Sequence, residues 1–314
     1  MASKLVFMGT AELAAVILEK LAVDPECVIQ AVVTQPDKPK GRDLKLQASP
    51  VKSTAQKKGL LLLQPVQSKS ELFIQQIHDL EPDLIVVAAY GQILSPALLQ
   101  VPRHGCVNVH TSILPGYRGA APIQRAIADG LTETGVTLIQ MDSGLDTGPI
   151  LAMCRTPILP EDNAATLHDR LALLGAKLLL ETLPGYIEGK IMPVPQSAEG
   201  VSYASKIRKE DGKVNWRDDA RIIWNRMRGF TPWPGIYTFR PASVGGQMIK
   251  IWRAEVGDGK GEPGELLAVD RSGIDVACGV GSLRIHELQR EGGKRLPAGS
   301  FLSGLSLERG EKWG

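Results

Sequence analysis

A doubly wound, mostly parallel α/β sheet followed by a small β-barrel is the fold this sequence predicts, and three observations predict it. Short apolar runs without alternation, such as Leu5–Met8 and Asp83–Ala89, suit parallel strands covered on both faces. Segments with helical spacing separate them, which is the strand–helix alternation of an α/β domain. Past residue 206 the texture changes to short strands and Gly-rich turns, as in small barrels of the OB kind.

Each element follows from local pattern. Leu5–Met8 closes on Gly9-Thr10, and a helix runs to about Ala22 with Leu13, Val16, Ile17 and Leu21 on one face. Val28–Thr34 is a second buried strand, followed by a loop over residues 35–49 that carries Lys38, Lys40, Arg42 and Lys45. Ser49 caps a helix over Pro50–Lys58, Leu60–Leu63 is a short strand, and Ser70–Leu80 is an amphipathic helix. Asp83–Ala89 and Cys106–His110 are strands, and Ala121–Asp129 is a helix. Gly135–Met141 and Pro149–Arg155 are strands joined by an Asp-Ser-Gly-Leu-Asp-Thr-Gly loop, so the sheet becomes mixed at its end. Ala164–Leu183 is a long helix. This first domain spans residues 1–189. Residues 190–206, with Pro193, Pro195 and Gly200, read as a linker. The second domain, 207–314, has one helix (Asp219–Arg228) and strands at Gly235–Arg240, Met248–Glu255, Gly264–Val269, Ile274–Ala277 and Leu283–Leu288.

Charge and composition narrow the function classes. The net charge of +2 is too small to announce a nucleic-acid or membrane partner, but residues 1–206 carry 18 basic and 20 acidic side chains whereas 207–314 carry 18 and 14. The C-terminal part therefore tolerates an anionic partner. No apolar run approaches the roughly 20 residues that span a bilayer, and Met-Ala-Ser-Lys leads directly into a strand, unlike a signal peptide. Cys27, Cys106, Cys154 and Cys278 form no CxxC pair and read as buried free thiols. A cytoplasmic protein is expected.

The chemistry-bearing segment is Asn108-Val109-His110, at the end of a strand that runs into a Pro/Gly loop. Residues two apart share a face, so the amide and the imidazole stand side by side where open α/β sheets place their sites. The amide donates to a developing oxyanion, and the imidazole exchanges a proton near neutral pH. An acid from the 142–148 loop would orient that imidazole, with Asp142 and Asp146 equal candidates. The five histidines form no ligand-like cluster, so no metal is expected. There is no Gly-x-Ser-x-Gly elbow, and Gly9-Thr10-Ala11-Glu12 lacks the later glycines of the dinucleotide fingerprint. The basic loop around Arg42 suits a polyanion or plain solvation. Trp216, Trp224, Trp233 and Trp252 read as core.

The run Ser112-Ile113-Leu114-Pro115-Gly116-Tyr117-Arg118-Gly119-Ala120-Ala121-Pro122-Ile123-Gln124, preceded by Asn108-Val109-His110, resembles the signature of the folate-dependent formyltransferases. The spacing to the Asp146 loop also matches, and the likeness covers nearly the whole chain. The Thr-Gln-Pro-Asp-Lys-Pro-x-Gly-Arg loop, Ser-Pro-Val-Lys at 49–52, Tyr203-Ala204 with Lys206, and Arg228-Gly229-Phe230-Thr231-Pro232-Trp233-Pro234-Gly235 are similar to the branch of that family acting on initiator Met-tRNA.

The resemblance implies a Rossmann-variant catalytic domain with an OB-like tRNA-binding domain. It also implies formyl transfer from 10-formyltetrahydrofolate to the methionyl amino group of initiator Met-tRNA, for translation initiation; with no sign of an oligomer interface in the sequence, a monomer is the default expectation. It carries catalytic roles to Asn108, His110 and Asp146, folate contact to Ser112, Ile113, Leu114 and Pro115, and contact with the tRNA acceptor end to Arg42. The competing expectations are the same chemistry on a small sugar or nucleotide amine, or a formyl-folate hydrolase. Gly116, Thr111 and the Thr-Ala-Glu-Leu helix start depart from the usual pattern and bear on affinity more than on the reaction.

Overall fold

Seven strands form the first sheet, and their order sets the position of everything that follows. They are β1 (Ser3–Gly9), β2 (Cys27–Val33), β5 (Leu62–Leu63), β6 (Leu84–Ala88), β7 (Cys106–His110), β8 (Glu133–Gln140) and β9 (Ile150–Pro157), in the order β5-β2-β1-β6-β7-β8-β9. The five from β5 to β7 are parallel, and β8 and β9 are antiparallel to their neighbours. A short hairpin, β3 (Lys38–Lys40) with β4 (Lys45–Gln47), stands outside this sheet. The computed structural model describes residues 2–40 and 45–314, so Arg42 lies outside the described residues.

The central strands are legible as apolar runs because both faces are covered. Leu5, Val6, Phe7 and Met8 are fully buried, as are Leu84, Ile85 and Val86. Alternate residues of β1 and β6, Val6, Met8, Ile85 and Val87, pack with Phe73 and Ile77 of α3 (Glu71–Asp79). α1 (Glu12–Leu21) buries Leu13, Ile17, Leu18 and Leu21 as one face. Gly9 ends β1 because a Cβ there would stand 2.6 Å from the Ala14 Cβ. Ser49 caps α2 (Pro50–Lys57), accepting from the Lys52 N–H at 3.0 Å, and Ser70 caps α3 in the same way.

Some elements carry too little signal to be read in advance. α4 (Pro96–Leu99) is a single turn behind a Ser95 cap, too short to show a period. The hairpin β3–β4 falls in the segment read as loop and has no apolar alternation. α5 (Pro122–Ala128) and α6 (Ala164–Ile187) match expectation, except that α6 runs through Pro184. The Lys190 and Ile191 N–H groups then close its last turn on the Gly185 carbonyl.

Contacts divide the chain into Met1–Pro122, Glu133–Pro157 and His168–Ala204 in one unit, and Ile123–Thr132, Ile158–Leu167 and Ser205–Gly314 in the other. In the second, α7 (Ala220–Gly229) starts at Asp219, whose carboxylate accepts from the Arg221 N–H at 2.7 Å. It accompanies an antiparallel sheet of β10 (Ile236–Phe239), β11 (Met248–Gly257), β14 (Ser282–Arg290), β13 (Gly273–Ala277) and β12 (Leu266–Asp270), in that order. β15 (Arg295–Pro297) pairs with the far half of β14, beyond the stretch that β13 uses, and leads into α8 (Ala298–Leu302). The segments 123–132 and 158–167 join this unit through Arg125, which meets Asp211 at 2.8 Å, and Arg228, whose guanidinium donates to the Leu159 and Pro160 carbonyls and lies 4.0 Å from the Trp224 ring.

Two ends of this unit are tied by a buried ion pair. Arg240 donates from Nε and Nη2 to the two Glu311 oxygens at 2.8 and 2.6 Å, with the side chains 8% and 9% exposed. Burial pushes the Glu311 carboxyl up, but Arg240 and the Trp313 indole outweigh it and hold it below the usual glutamate range. The sign follows: the pair contributes stability above the unfolded glutamate pKa, and that contribution is lost as pH falls through the lower folded value. All five tryptophans lie in this unit, so their fluorescence reports its unfolding. Arg240→Ala leaves a buried carboxylate unpaired and should lower the unfolding free energy by about 3–5 kcal/mol at neutral pH. The gap to wild type should narrow in acid; a loss under about 1 kcal/mol in urea titrations would contradict it.

Candidate active site

β7 delivers Asn108 and His110 to the carboxyl edge of the sheet, one strand from the β1/β6 boundary where the order reverses. Open α/β sheets leave a crevice at that edge. The neighbouring strand ends are tied together by Thr10, whose hydroxyl donates to the Tyr90 carbonyl at 2.9 Å, and by Gln35, whose Nε2 donates to the same oxygen at 2.8 Å. Ala89 there has φ +42°, outside the strand region.

The period-2 reading of β7 is visible in the contacts. Asn108 Nδ2 donates to Asp146 Oδ1 at 3.4 Å, and His110 Nδ1 stands 3.7 Å from Asp146 Oδ2. The first is a long hydrogen bond, and the second is a charge contact beyond hydrogen-bond range. The short bond to this carboxylate comes from the Gly119 backbone N–H, at 2.8 Å to Oδ2. His110 Nε2 lies 3.0 Å from the Tyr117 carbonyl, which can only accept, so Nε2 carries a proton. Both ring nitrogens thus face oxygen acceptors, an arrangement that accommodates a ring with two N–H groups. His110 is only 6% exposed.

The two acids of the 142–148 loop take different parts. Asp142 Oδ1 accepts from the Gly144 N–H at 3.0 Å and from the Thr147 hydroxyl at 2.7 Å, so it shapes its own turn. Asp146 has φ +52°, a left-handed backbone that costs a non-glycine residue on the order of 1–3 kcal/mol. That conformation turns its side chain to Asn108, His110 and Gly119. Gly148 finishes the loop where any Cβ would fall 1.8 Å from the Gln140 carbonyl oxygen.

The loop after β7 is held from β8. Thr137, opposite His110 in the β7–β8 register, donates its hydroxyl to the Ser112 carbonyl at 2.7 Å and accepts from the Leu114 N–H at 3.2 Å. Ser112 is 1% exposed and its hydroxyl donates to the Gly116 carbonyl at 2.7 Å. Leu114 is also buried, while Ile113 and Pro115 are half-buried. Ile113 packs where Gly135 has no side chain, since a Cβ there would come within 2.4 Å of its Cδ1. Thr137 carried no sequence signal beyond being a Thr within an apolar strand.

The segment 190–204 runs against these loops. Ile150 and Val194 exchange backbone hydrogen bonds, Tyr117 N–H donates to the Ser202 hydroxyl at 2.9 Å, and Arg118 pairs its backbone with Ser202 and Ala204. Nothing in its Pro- and Gly-marked composition signals such pairing.

Among the described residues no group of three or more His, Cys, Asp or Glu could hold a metal ion, and no helix is long and apolar enough to cross a membrane. The four cysteines are free thiols. Cys106 and Cys278 are buried as expected, with burial pushing their thiols up to about 12. Cys27 and Cys154 are half-buried, a correction to the reading of all four as buried, because Cys27 opens β2 ahead of the two residues that pair with β5 and Cys154 lies on the edge strand β9.

Comparison with known proteins fits this geometry. Residues 3–183 match the formyl transferase family and residues 206–306 the formyl transferase C-terminal domain. The chain is 49% identical over 307 residues to a methionyl-tRNA formyltransferase of Citrifermentans bemidjiense, covering 98% of this chain and 95% of that one. It is 49% identical over 311 residues to the enzyme of the same name from Geobacter sulfurreducens, covering 99% and 96%. Among solved structures it is similar to an N-formyltransferase from Helicobacter canadensis in complex with folinic acid and dTDP-3-aminofucose, with a TM-score of 0.66 and 19% identity over 94% of this chain and all of that one.

Thr137→Val keeps shape but strands the Leu114 N–H and the Ser112 carbonyl in a buried place. It should cost about 1–3 kcal/mol and speed amide exchange across residues 112–116. Unchanged exchange in that peptide would show that Thr137 does not hold the loop.

Proposed function

This chain belongs to the formyl transferase family, and on that premise we propose that it transfers the formyl group of 10-formyltetrahydrofolate to the methionyl amino group of initiator Met-tRNA. The observation that carries the reading is similarity at 49% identity across both parts of the chain to enzymes named for that reaction. We assign catalysis to residues 1–189, a connecting role to 190–206 and tRNA binding to 207–314. The protein acts in the cytoplasm as a monomer.

The roles of the side chains follow from the charge the reaction creates. An aminoacyl amine is substantially neutral near pH 7 and attacks the formyl carbon without a strong base. The formyl oxygen then gains negative charge, and Asn108 Nδ2 together with a His110 N–H donates to it. Asp146 supports the imidazolium and passes the proton lost by the amine, through water, toward the departing folate nitrogen. The new bond is amine nitrogen to formyl carbon, and the broken one is formyl carbon to folate nitrogen. Ser112, Ile113, Leu114 and Pro115 form the folate-contacting loop, and Arg42 meets the acceptor end of the tRNA.

The test is to supply labelled 10-formyltetrahydrofolate with charged initiator tRNA and follow the label. Label on the methionyl nitrogen supports the reading. Release as formate alone would replace it with a hydrolase, and transfer only to a small sugar or nucleotide amine would replace the acceptor. Asn108→Ala and His110→Ala should each lower kcat by about 10²–10³-fold, the scale of one lost oxyanion donor, and Asp146→Ala by about 10²–10⁴-fold, the scale of a lost proton-transfer group; near-normal turnover in all three would remove the assignment. Arg42→Ala should raise KM for the tRNA with KM for folate unchanged. It should also flatten the slope of log affinity against log salt by about 1, the signature of one lost phosphate contact.

A further inference from the structure

One side chain in the 190–204 segment joins both loops of the site. Gln196 is half-buried amid exposed neighbours. Its Nε2 donates to the Asp146 carbonyl at 2.7 Å and to the Gly148 carbonyl at 2.8 Å. Its Oε1 accepts from Arg118 Nε at 3.2 Å and Nη2 at 2.6 Å. The orientation of the amide is fixed by its surroundings, because two carbonyls can only accept and a guanidinium can only donate. Every hydrogen-bonding position of the amide is therefore used.

The contacts close a ring around the carboxylate. Arg118 is buried at 8% exposure and precedes Gly119, whose N–H makes the short bond to Asp146 Oδ2. Tyr117, before it, supplies the carbonyl that faces His110 Nε2 and has φ +58°. Gln196 grips this segment through Arg118 and grips Asp146 through the carbonyl of a residue in a left-handed conformation. A residue in that conformation persists only where its surroundings over-determine it, and the Asp146 carbonyl has Gln196 as a partner.

We propose that Gln196 is a positioning residue for the reaction, holding the Asp146 backbone so that its carboxylate meets His110 and Gly119. The proposal rests on the assignment of Asp146 to catalysis. Gln196 is given no contact with substrate and acts through the two loops it bonds, at Asp146 and Gly148 on one side and Arg118 on the other. All four of its hydrogen bonds go to groups of the two loops, so its loss is expected in kcat rather than in substrate binding.

Gln196→Met tests this, since Met fills the same space without making any of the four hydrogen bonds. With formyl-folate and charged initiator tRNA, kcat should fall about 10- to 100-fold, the scale of a misplaced catalytic group. KM for both substrates should stay within about twofold, so that the loss falls on kcat. Gln196→Glu should fail as well, because it keeps the Arg118 contact but sets an oxygen against two carbonyls. In the Asp146→Ala background Gln196→Met should add less than about a twofold further loss, since residues acting as one unit are not additive. Wild-type kcat in Gln196→Met with an impaired Asp146→Ala would overturn the proposal and leave the reaction assignment standing. Unimpaired Asp146→Ala would overturn the assignment itself. Full additivity of the two substitutions would show that Gln196 acts elsewhere and would also overturn the proposal.

Discussion

One carboxylate holds the candidate site together. Asp146 accepts the Gly119 N–H at 2.8 Å and faces His110 and Asn108 with its two oxygens. Two loops that leave the sheet at different strands meet at this group. Without it the loop after β7 would lose its direct side-chain tie to the loop between β8 and β9, leaving the link through Gln196. The cost is a strained residue, and a left-handed aspartate needs partners on its backbone as well as on its side chain. That requirement explains why the 190–204 segment is bonded to both loops.

The sheet makes this meeting possible. Here β8 runs antiparallel to β7 and β9 antiparallel to β8, so the end of β8 lies beside the start of β7, where the Met141 N–H donates to the Cys106 carbonyl, and the loop from 142 folds back to bring Asp146 to Asn108 and His110. The same pairing places Thr137 opposite His110, where its hydroxyl serves the 112–114 backbone. The strand that carries Asn108 and His110 is thus braced from the neighbour whose following loop carries Asp146.

The second unit is built on different interactions. Its sheet is antiparallel, and its cohesion draws on cations held by aromatic rings and carbonyls. Arg228 over Trp224 and the buried Arg240–Glu311 pair are the clearest cases. Trp224 and Trp252 also bond to polar partners through their indole nitrogens. Trp216 lies buried beside Trp313, whereas Trp233 is 58% exposed and does not belong to the core. The reading of all four sequence-marked tryptophans as core therefore holds for Trp216 and fails for Trp233, which the Pro-Trp-Pro turn projects outward.

What the sequence determined by itself is what repeats along the chain or sits close in it. Unbroken apolar runs marked β1 and β6 because their two faces are both covered. The two-residue period of β7 put Asn108 and His110 on one side, and the strand end put them at the carboxyl edge of the parallel strands. The Asp142–Gly148 loop was recognisable as a source of an acid, but composition could not choose between two aspartates of the same chemistry. The family resemblance pointed to Asp146, and the tertiary structure supplied the physical difference between the two, a backbone angle and a turn that uses the Asp142 carboxylate for itself. Thr137, Gln196 and Ser202 were invisible for a related reason. Each is a common polar residue whose partners lie 23 to 85 positions away, and no local period or composition records a hydrogen bond made across the fold.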